Sequence, residues 1–398
     1  MENNSKLNIA VFMDNFYPQI NGVVTSAINT CRELDKRGHN VYGVAPMPED
    51  FDNYADDYFN YPLHFVKGFE VGIYPDFQFS WPFDRELLNV MREFKPDIIH
   101  FHAPMPIGFQ AIRIARELGV PVVGTFHTFF AEPEYLSIVG LEKWKWLQRF
   151  GWWYSNFYFS RCDGVVSPGI ATASFLKQKG LKKPIEIISN GVEGKKYRSE
   201  EFTNITGVEP DQTKKWILYV GRVSKEKCMD ELIRAFELVY SKDKDAALLI
   251  VGDGPYRKEL NRKTDAGGFA GKIVYTGAIP NKDLLESGIF QKVKLFVTAS
   301  TSENQPMTIL ESIAFGLPIV GVDAKGVPEL VEENGFIVPP GKPHLMADRI
   351  LEIINNDELR KKLCKISLDL SEKYDITNTT VKMESYYRTI IEKFKDKS

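Results

Sequence analysis

Short runs of apolar and β-branched residues alternate with longer amphipathic stretches along most of the chain. This alternation is typical of βαβ units, in which helices join parallel strands and cover the sheet. In the first half, the apolar runs predict strands at Leu7–Met13, Asn40–Ala45, Asp97–Phe101, Val120–Phe126, Gly164–Ser167 and Ile185–Ser189. Residues 23–36 are predicted to form a helix, because apolar residues recur there at i, i+4 and i+7.

The alternation stops in a polar segment and then restarts. Residues 191–214 show no periodicity, so we interpret them as a linker. Beyond this linker, the apolar runs predict a second set of strands at Trp216–Val220, Ala247–Val251, Lys272–Tyr275, Lys294–Val297 and Pro318–Gly321. Two sets of strands separated by a linker indicate two lobes of the same class.

We therefore predict an α/β protein with two Rossmann-like, doubly wound lobes, residues 1–190 and 215–375. Ligands of doubly wound sheets bind outside the carboxyl ends of the strands, so we expect the substrate in the cleft between the lobes. Helical patterns at Asp357–Lys373 and Thr379–Lys393 end the chain. The last helix follows the whole second lobe, and we expect residues 376–398 to cross back to the first lobe.

One long irregular stretch, Pro46–Trp81, interrupts the first lobe and is rich in Asp, Tyr, Phe and Pro. Loops of this length inside compact domains are usually functional or disordered. The aromatic content argues against disorder, so we expect this stretch to pack near the mouth of the cleft.

The composition narrows the class of protein. The chain has 398 residues and a net charge of −3, which gives no indication of nucleic-acid binding. Hydrophobic residues make up 43% of it and charged residues 26%, as in soluble globular proteins. No apolar run approaches the roughly 18–20 residues that span a bilayer, and the polar N-terminus shows no signal-peptide pattern. The four cysteines are far apart, which favours a reduced, cytoplasmic protein without structural zinc.

A glycine lies where the first helix is expected to begin. The first strand runs into D-N-F-Y-P-Q-I-N-G-V, in which the glycine is Gly22. Glycine at this point lets a phosphate approach backbone N–H groups at the positive end of the helix dipole. The chain has no G-x-G-x-x-G motif here, and a plain turn glycine is the alternative.

Cations follow the first strand of the second lobe. Gly221 and Arg222 come directly after that strand, and Lys227 follows in the segment G-R-V-S-K-E-K. Cations at the carboxyl edge of a parallel sheet are suited to a diphosphate. Ordinary surface charge is the alternative.

The segment S-E-N-Q-P-M-T-I-L-E carries two carboxylates around a predicted helix start. Pro306 is expected in the first turn of a helix that runs to residue 315. The backbone N–H groups of Met307, Thr308 and Ile309 would then be available to a phosphate. Glu303 lies before the helix and Glu311 inside it. Carboxylates accept hydrogen bonds from sugar hydroxyls, so one could hold a ribose and the other a hexose. For Glu303, simple stabilisation of the helix N-terminus is the alternative.

Histidines follow two predicted strands of the first lobe. His127, in G-T-F-H-T-F-F, could donate a hydrogen bond to a sugar hydroxyl or move a proton, whereas a structural role is the alternative. His100 and His102 share a face, but the sequence offers no third metal ligand, so we interpret them as structural. The D-x-D triplet at 243–245 is expected at the opposite edge of its sheet and is interpreted as a solvated turn. No metal site is predicted.

With these motifs, the sequence resembles glycosyltransferase family 4, whose members are retaining enzymes of the GT-B fold. The resemblance covers essentially the whole chain. It rests on N-G-V at Gly22, F-H-T at His127, S-N-G-V at Ser189–Val192, G-R at Arg222 with Lys227, G-D-G-P at Gly252–Pro255, and E-x7-E from Glu303 to Glu311 followed by A-x-G-L-P-I-V.

The resemblance implies a donor site and its chemistry. The implied donor-binding residues are Gly22, Arg222, Lys227, Gly254, Glu303, Met307, Thr308 and Glu311. Arg222 and Lys227 would neutralise the diphosphate, and the fixed cation Lys227 would stabilise the leaving phosphate in place of a metal ion. Glu311 would hold the ribose and Glu303 would contact the transferred sugar. His127 would line the site between donor and acceptor, so the implied catalytic residues are His127, Arg222, Lys227 and Glu303. Neither a metal nor a cofactor other than the donor substrate is expected.

Within the family, the opening F-Y-P-Q-I-N-G-V-V-T-S is similar to that of bacterial diacylglycerol glucosyltransferases. The resemblance thus implies a retaining hexosyltransferase that moves glucose from UDP-glucose to diacylglycerol and forms an α-monoglycosyl diacylglycerol. The interior of the E-x7-E motif is N-Q-P-M where many members have a glycine and an aromatic residue. Two alternatives stay open: a GDP-mannose-dependent mannosyltransferase acting on a phosphoinositide or a soluble acceptor, and a non-catalytic sensor of sugar nucleotides.

Charge is unevenly distributed along the first lobe. Residues 1–141 carry 10 Lys and Arg against 18 Asp and Glu, a net charge of −8. Residues 142–190 carry 8 against 3, a net charge of +5. A basic block beside an acidic one is a candidate docking surface, and ordinary solvated charge is the alternative.

The basic block begins with a predicted helix at 142–161. On a helical projection, one apolar stripe suited to a core is formed by Leu147, Phe150, Tyr154, Phe157 and Tyr158. The opposite face carries Lys145 and Arg149 together with Trp152 and Phe159. Aromatics interleaved with cations are typical of interfacial helices, so we expect these four residues to bind an anionic membrane surface. The expected location is the cytoplasm, in peripheral association with the inner face of the plasma membrane. A helix buried on both sides is the alternative.

Overall fold

The computed structural model of the chain describes residues 5–16, 22–47, 60–70, 78–81, 83–127, 129, 131–136, 141, 143–194, 197–198, 210–211 and 213–397. The chain forms two compact units, of which the first comprises Met1–Gly191 with Ile376–Ser398 and the second comprises Val192–Asp375. Part of the predicted linker, residues 199–209, lies outside the described residues. Each unit contains its own parallel sheet.

The first unit is built on a parallel sheet. Its strands are β1 (Asn8–Phe12), β2 (Asn40–Pro46), β3 (Leu63–Val66), β4 (Gly68–Glu70), β5 (Gln78–Ser80), β6 (Ile98–Phe101), β7 (Val122–Thr125), β8 (Gly164–Ser167) and β9 (Glu186–Ile187). Its helices up to this point are α1 (Gly22–Lys36), α2 (Arg85–Phe94), α3 (Pro106–Leu118), α4 (Pro133–Leu136), α5 (Lys145–Phe159) and α6 (Ile170–Gln178). The sheet has the order β3-β2-β1-β6-β7-β8-β9, and β4 pairs with β5 in a separate antiparallel hairpin.

The second unit repeats this architecture. Its strands are β10 (Lys215–Val220), β11 (Ala246–Val251), β12 (Ile273–Gly277), β13 (Leu295–Val297), β14 (Ile319–Val322) and β15 (Gly335–Val338). Its helices are α7 (Met229–Lys242), α8 (Arg257–Ala266), α9 (Asn281–Glu286), α10 (Ile289–Lys292), α11 (Met307–Ala314), α12 (Pro343–Ile354) and α13 (Asp357–Ser371). The parallel sheet has the order β12-β11-β10-β13-β14-β15. The strand order reverses at β10, because β11 and β12 follow on one side of it and β13 to β15 on the other. The predicted α/β fold with two Rossmann-like lobes is confirmed.

Continuous apolar runs explain why the strands form where they do. All six residues of β11 are buried. Such a run is typical of a parallel strand that is covered by helices on both faces. Helix α7 supplies one of these covers through a buried stripe at helical spacing, formed by Met229, Leu232, Ile233, Ala235, Phe236 and Val239.

The last helix, α14 (Ile376–Lys395), belongs to the first unit, as predicted. It packs beside α1, and Glu384 accepts a hydrogen bond of 2.8 Å from Arg37. In the core, the hydroxyl of Tyr387 lies 2.6 Å from Nδ1 of His100, and both side chains are fully buried. The C-terminal helix therefore completes the core of the first unit.

Three parts of the sheets differ from the sequence prediction. Strand β15 was not predicted, and three of its four residues are only half-buried. Strand β9 is only two residues long. The stretch predicted to be irregular, Pro46–Trp81, contains β3 to β5, and its residues 48–59 and 71–77 lie outside the described part of the chain.

Helix α5 buries a different face from the predicted one. Trp152 is 5% exposed and Phe159 is 0% exposed, so the prediction that these two residues face a membrane is wrong. Phe159 packs on Phe101 and Phe126, and the Trp152 indole donates a hydrogen bond of 2.9 Å to Glu132. Both rings are therefore part of the core of the first unit.

The opposite face of α5 is open to solvent. Phe150, predicted in the core stripe, is 51% exposed, and Trp146 and Trp153 are each 60% exposed. Lys145 and Arg149 are exposed as predicted. Because residues three and four apart share a face of a helix, Trp146, Phe150 and Trp153 form one exposed aromatic stripe beside Arg149.

We expect Tyr387→Phe to lower the free energy of unfolding by about 1–3 kcal/mol, since a buried imidazole nitrogen would lose its partner. Urea denaturation of the two proteins measures this difference. Tyr240→Phe, on α7, is the control and should stay within about 0.5 kcal/mol of wild type. Equal stability of the two variants would contradict the assignment of Tyr387 to the core hydrogen bond with His100.

We expect Trp152→Ala to cost about 3–5 kcal/mol of unfolding free energy, because it removes a large buried ring and the bond to Glu132. Trp153→Ala, one residue further along α5, should change stability by no more than about 0.5 kcal/mol, since its ring is exposed. Thermal and urea unfolding of both variants gives the comparison. A larger loss of stability for Trp153→Ala than for Trp152→Ala would contradict the observed orientation of α5 and support the one predicted from the sequence.

Candidate active site

The candidate residues of the second unit gather at one edge of its sheet. Strand β10 pairs with both β11 and β13, so the carboxyl ends of these strands lie together at the point where the strand order reverses. This point is the usual ligand site of doubly wound sheets. The segments that follow the three strands contain Arg222, Gly254 and Glu303, respectively.

Two glycine-containing loops touch each other at this edge. A Cβ at Gly252 would lie 2.0 Å from the carbonyl oxygen of Gly221, and one at Gly254 would lie 2.4 Å from that of Val223. The amide of Val223 also donates a hydrogen bond of 2.9 Å to the carbonyl of Asp253. Gly254, predicted to bind the donor, is thus required for loop packing whether or not a ligand touches it.

Lys227 and Glu303 form an ion pair. Nζ of Lys227 lies 2.6 Å from Oε1 of Glu303, and both side chains are largely buried. Lys227 ends a short 3₁₀ turn, after which Cys228 adopts a left-handed conformation (φ 53°) that directs the chain into α7. Arg222, directly after β10, is half-buried, and its carbonyl accepts a hydrogen bond of 3.0 Å from the Tyr219 hydroxyl. A cation and a carboxylate predicted for the same ligand are therefore in direct contact.

The N-terminus of α11 provides backbone donors at the same edge. Pro306 takes the N-cap position and α11 begins at Met307, one residue later than predicted. The prediction that the Ile309 amide is free is wrong, because it donates to the carbonyl of Pro306, as does the amide of Leu310. The amides of Met307 and Thr308 meet no acceptor within the described residues. The first amides of a helix lack partners inside it and favour an anion.

Glu311 is a buried carboxylate with one oxygen left over. Its side chain is 3% exposed, and burial raises its pKa to about 7. Asn281 donates a hydrogen bond of 2.8 Å to Oε1 and opposes this rise in pKa. Oε2 accepts no hydrogen bond from the described part of the chain. Because buried carboxylate oxygens are normally bonded, this atom is suited to hydroxyl groups of a ligand.

The first unit brings two of its histidines together. Nδ1 of His102 lies 2.9 Å from Nε2 of His127, and the two rings are stacked. Burial lowers the pKa of His127 to about 4 and holds that of His102 well below its usual value. Both imidazoles are therefore neutral near pH 7. His127 can act through hydrogen bonds there, but it supplies no permanent positive charge.

Two further groups lie at the carboxyl edge of the first sheet. Helix α1 begins at Gly22, as expected, and residues 17–21 before it lie outside the description. Asp14 follows β1 and accepts hydrogen bonds of 2.7 and 3.0 Å from the amides of Ile107 and Gly108, at the start of α3. Burial raises its pKa to about 7. Sequence reasoning missed both Asp14 and Asn281. Asp14 opens the segment D-N-F-Y-P-Q-I-N-G-V, in which only Gly22 was assigned a role, and Asn281 belongs to no recognisable motif.

The D-x-D triplet lies away from these groups. Asp243 pairs with Lys215 at 2.9 Å, and both residues precede or begin strands at the amino edge of the second sheet. Within the described ranges, no group of three or more His, Cys, Asp or Glu side chains could hold a metal ion. The triplet is therefore a paired surface turn.

Two protein-family models match the chain. The model of Glycosyltransferase Family 4 matches residues 20–195, and that of Glycosyl transferases group 1 matches residues 201–367. Together they include Gly22 and His127 in the first match and the ion pair and Glu311 in the second. The matched regions follow the two units of the fold.

Curated relatives extend over nearly the same length. Alpha-monoglucosyldiacylglycerol synthase of Streptococcus pneumoniae is 26% identical over 91% of this chain and 83% of its own. A GDP-mannose-dependent alpha-mannosyltransferase of Corynebacterium glutamicum is also 26% identical, over 83% of this chain and 76% of its own. The chain is thus similar to enzymes whose names give different sugars, glucose and mannose.

Solved structures show the same fold. HepE of Anabaena, determined in complex with UDP, has a TM-score of 0.75 to this chain at 17% identity, with 96% of this chain and 99% of that chain covered. The parallel sheets, the two matching family models and the relatives agree with one another. The chain belongs to the glycosyltransferases of family 4, with the GT-B fold.

Proposed function

We propose that the protein is a retaining glucosyltransferase that moves glucose from UDP-glucose to diacylglycerol and forms an α-monoglycosyl diacylglycerol. The observation that carries the donor half of this proposal is Oε2 of Glu311, a buried oxygen in the second turn of α11 that has no partner among the described residues. A nucleoside diphosphate sugar has hydroxyls that can donate to this oxygen and phosphate oxygens that can accept from the first amides of the helix. The name of the pneumococcal relative supports diacylglycerol as the acceptor.

The diphosphate interacts with the cations and backbone donors of the edge. It competes with Glu303 for Lys227, and the first amides of α11 donate to its oxygens. When the bond between the anomeric carbon and the diphosphate oxygen breaks, negative charge grows on the leaving group, and Lys227 and Arg222 stabilise it. The acceptor hydroxyl oxygen bonds to the anomeric carbon on the face that the diphosphate leaves, and its proton passes to the departing phosphate oxygen.

The carboxylates hold the two sugars. Released from Lys227, Glu303 accepts hydrogen bonds from the hexose hydroxyls, and Oε2 of Glu311 accepts from the ribose hydroxyls. Hydrogen bonds to the charged form favour ionisation of Glu311 despite its burial. His127, held by His102, donates a hydrogen bond to a sugar hydroxyl as a neutral imidazole. With Lys227 as the fixed cation, the reaction needs no metal ion.

The exposed stripe of α5, formed by Trp146, Phe150 and Trp153, supports a membrane-bound acceptor. Lys145 and Arg149 lie beside this stripe, so the helix presents aromatic rings and cations to the same side. This combination favours the interface of an anionic bilayer. None of the helices in the described part of the chain has the length and hydrophobicity of a membrane-spanning segment. We place the enzyme peripherally at the inner face of the plasma membrane, where the lipid acceptor is available.

A second candidate keeps the chemistry and changes the substrates. The relative from Corynebacterium glutamicum has the same sequence identity to this chain, 26%, as the pneumococcal relative, and its name gives GDP-mannose. It favours GDP-mannose as the donor substrate, and a phosphoinositide or a soluble molecule would be the acceptor of this candidate. The two candidates differ in the donor consumed and in whether activity requires lipid vesicles.

The first test is a donor screen with diacylglycerol in anionic vesicles. UDP-glucose should give a monoglycosyl diacylglycerol, detected by mass spectrometry, and GDP-mannose should give none. The rate should be the same in excess EDTA, because Lys227 takes the role of a metal. Turnover of GDP-mannose alone would favour the second candidate, and a rate that EDTA abolishes and Mg²⁺ restores would refute metal independence.

We expect Lys227→Ala and Arg222→Ala each to lower kcat by about 10²-fold or more, because each removes a charge that stabilises the leaving group. Vesicle binding should be unchanged. Lys242→Ala, at an exposed ion pair on α7, is the matched control and should turn over like wild type. A kcat equal to that of wild type in both site variants would contradict the assignment of the diphosphate to this edge.

We expect the triple variant Trp146→Ser, Phe150→Ser, Trp153→Ser to bind anionic vesicles at least about tenfold more weakly, since it removes the apolar burial of three rings. Co-sedimentation measures the binding, and raised salt should weaken the wild type further on anionic but not on neutral vesicles. Leu238→Ser, an exposed residue of α7, is the control. Undiminished co-sedimentation of the triple variant would leave the lipid acceptor without structural support.

A further inference from the structure

Asn281 begins α9 and touches the buried carboxylate of α11. It follows the carboxyl end of β12, four residues after Gly277, and therefore lies at the same edge of the sheet as Lys227. Its side-chain amide donates a hydrogen bond of 2.8 Å to Oε1 of Glu311. Asn281 is half-buried, whereas Glu311 is almost completely buried. The bond therefore connects two helices that flank different strands.

This single bond makes the two carboxylate oxygens unequal. Oε1 is occupied by the protein, whereas Oε2 is buried and accepts no hydrogen bond within the described chain. The last torsion of a glutamate is soft, so an unbonded carboxyl group would rotate between several orientations. A donor on one oxygen fixes the plane of the group and leaves the other oxygen in a defined direction.

We propose that Asn281 is a positioning residue for the nucleoside: by holding Oε1 of Glu311, it keeps Oε2 oriented for the ribose hydroxyls of the donor. The inference rests on the proposed use of a nucleoside diphosphate sugar. It assigns no contact between Asn281 and the ligand. The amide acts only through the carboxylate.

The energetics of burial support this role. A buried carboxylate without hydrogen bonds is unfavourable, and the group responds by taking up a proton or by turning towards water. The Asn281 amide lowers the pKa of Glu311 against the effect of burial, so it favours the ionised form that accepts from hydroxyls. Without the amide, both the orientation and the acceptor strength of Oε2 would be lost.

The test compares two ligands that differ only in the ribose. Isothermal titration calorimetry gives the affinities of the full-length protein for UDP and for 2′,3′-dideoxy-UDP. Wild type should prefer UDP by roughly 10- to 100-fold, the range for hydrogen bonds to a charged group. Asn281→Leu keeps the side-chain volume but removes the hydrogen-bond donor. It should lose most of this preference, and its affinity for dideoxy-UDP should stay within about twofold of that of wild type. Asn281→Ser is a smaller second variant with the same expectation.

Two further proteins complete the design. Glu311→Gln should also lose the preference between the two ligands. Asn261→Leu, a half-buried asparagine on α8 of the same unit, should keep it. In turnover with UDP-glucose, the Asn281 variants should raise KM while kcat stays within about threefold, because positioning acts through donor binding.

The outcomes separate a positioning role from a structural one. Equal weakening of both ligands by the Asn281 variants would show that the bond only supports the fold, and this would overturn the inference while the donor site remained. An unchanged preference for UDP would overturn it too. If wild type binds neither nucleotide, the proposed function fails together with the inference.

Discussion

Parallel pairing of β10 with β11 and β13 is the constraint on which the candidate site depends. Parallel strands all end at the same edge, so segments that are far apart in sequence emerge side by side. Lys227 and Glu303 are 76 residues apart in sequence and still meet at 2.6 Å. The same rule brings Asn281 to Glu311. The chemistry of the second unit is thus a consequence of its sheet order.

The candidate site contains polar groups that the described part of the chain satisfies only in part. Among the described residues, Glu311 has one bonded and one unbonded oxygen, and the amides of Met307 and Thr308 have no acceptor. Groups fixed in advance stabilise developing charge without reorganisation during the reaction. Lys227 already has a carboxylate partner, so a diphosphate that replaces Glu303 frees this carboxylate to accept from hydroxyls. One exchange would therefore prepare both the phosphate and the sugar contacts.

Periodicity and motifs predicted the fold more accurately than they predicted the side-chain contacts. The apolar runs gave most strands to within two residues, since buried parallel strands are almost purely apolar, whereas β15 is half-buried and was missed. The sequence predicted no role for Asn281, because an isolated asparagine belongs to no motif or periodic pattern. Helix α5 is aromatic on all sides, so periodicity could not select its buried face. Contacts of Phe159 with Phe101 and Phe126, distant in sequence, decide that orientation.

A crystal structure with UDP bound tests the central claim most directly, because it locates the nucleotide relative to the edge of the second sheet. The account predicts diphosphate oxygens within hydrogen-bond distance of Lys227 and of the first amides of α11. It also predicts ribose hydroxyls on Oε2 of Glu311 and a broken contact between Lys227 and Glu303. A nucleotide bound elsewhere, with that ion pair intact and Oε2 still without a partner, would contradict it.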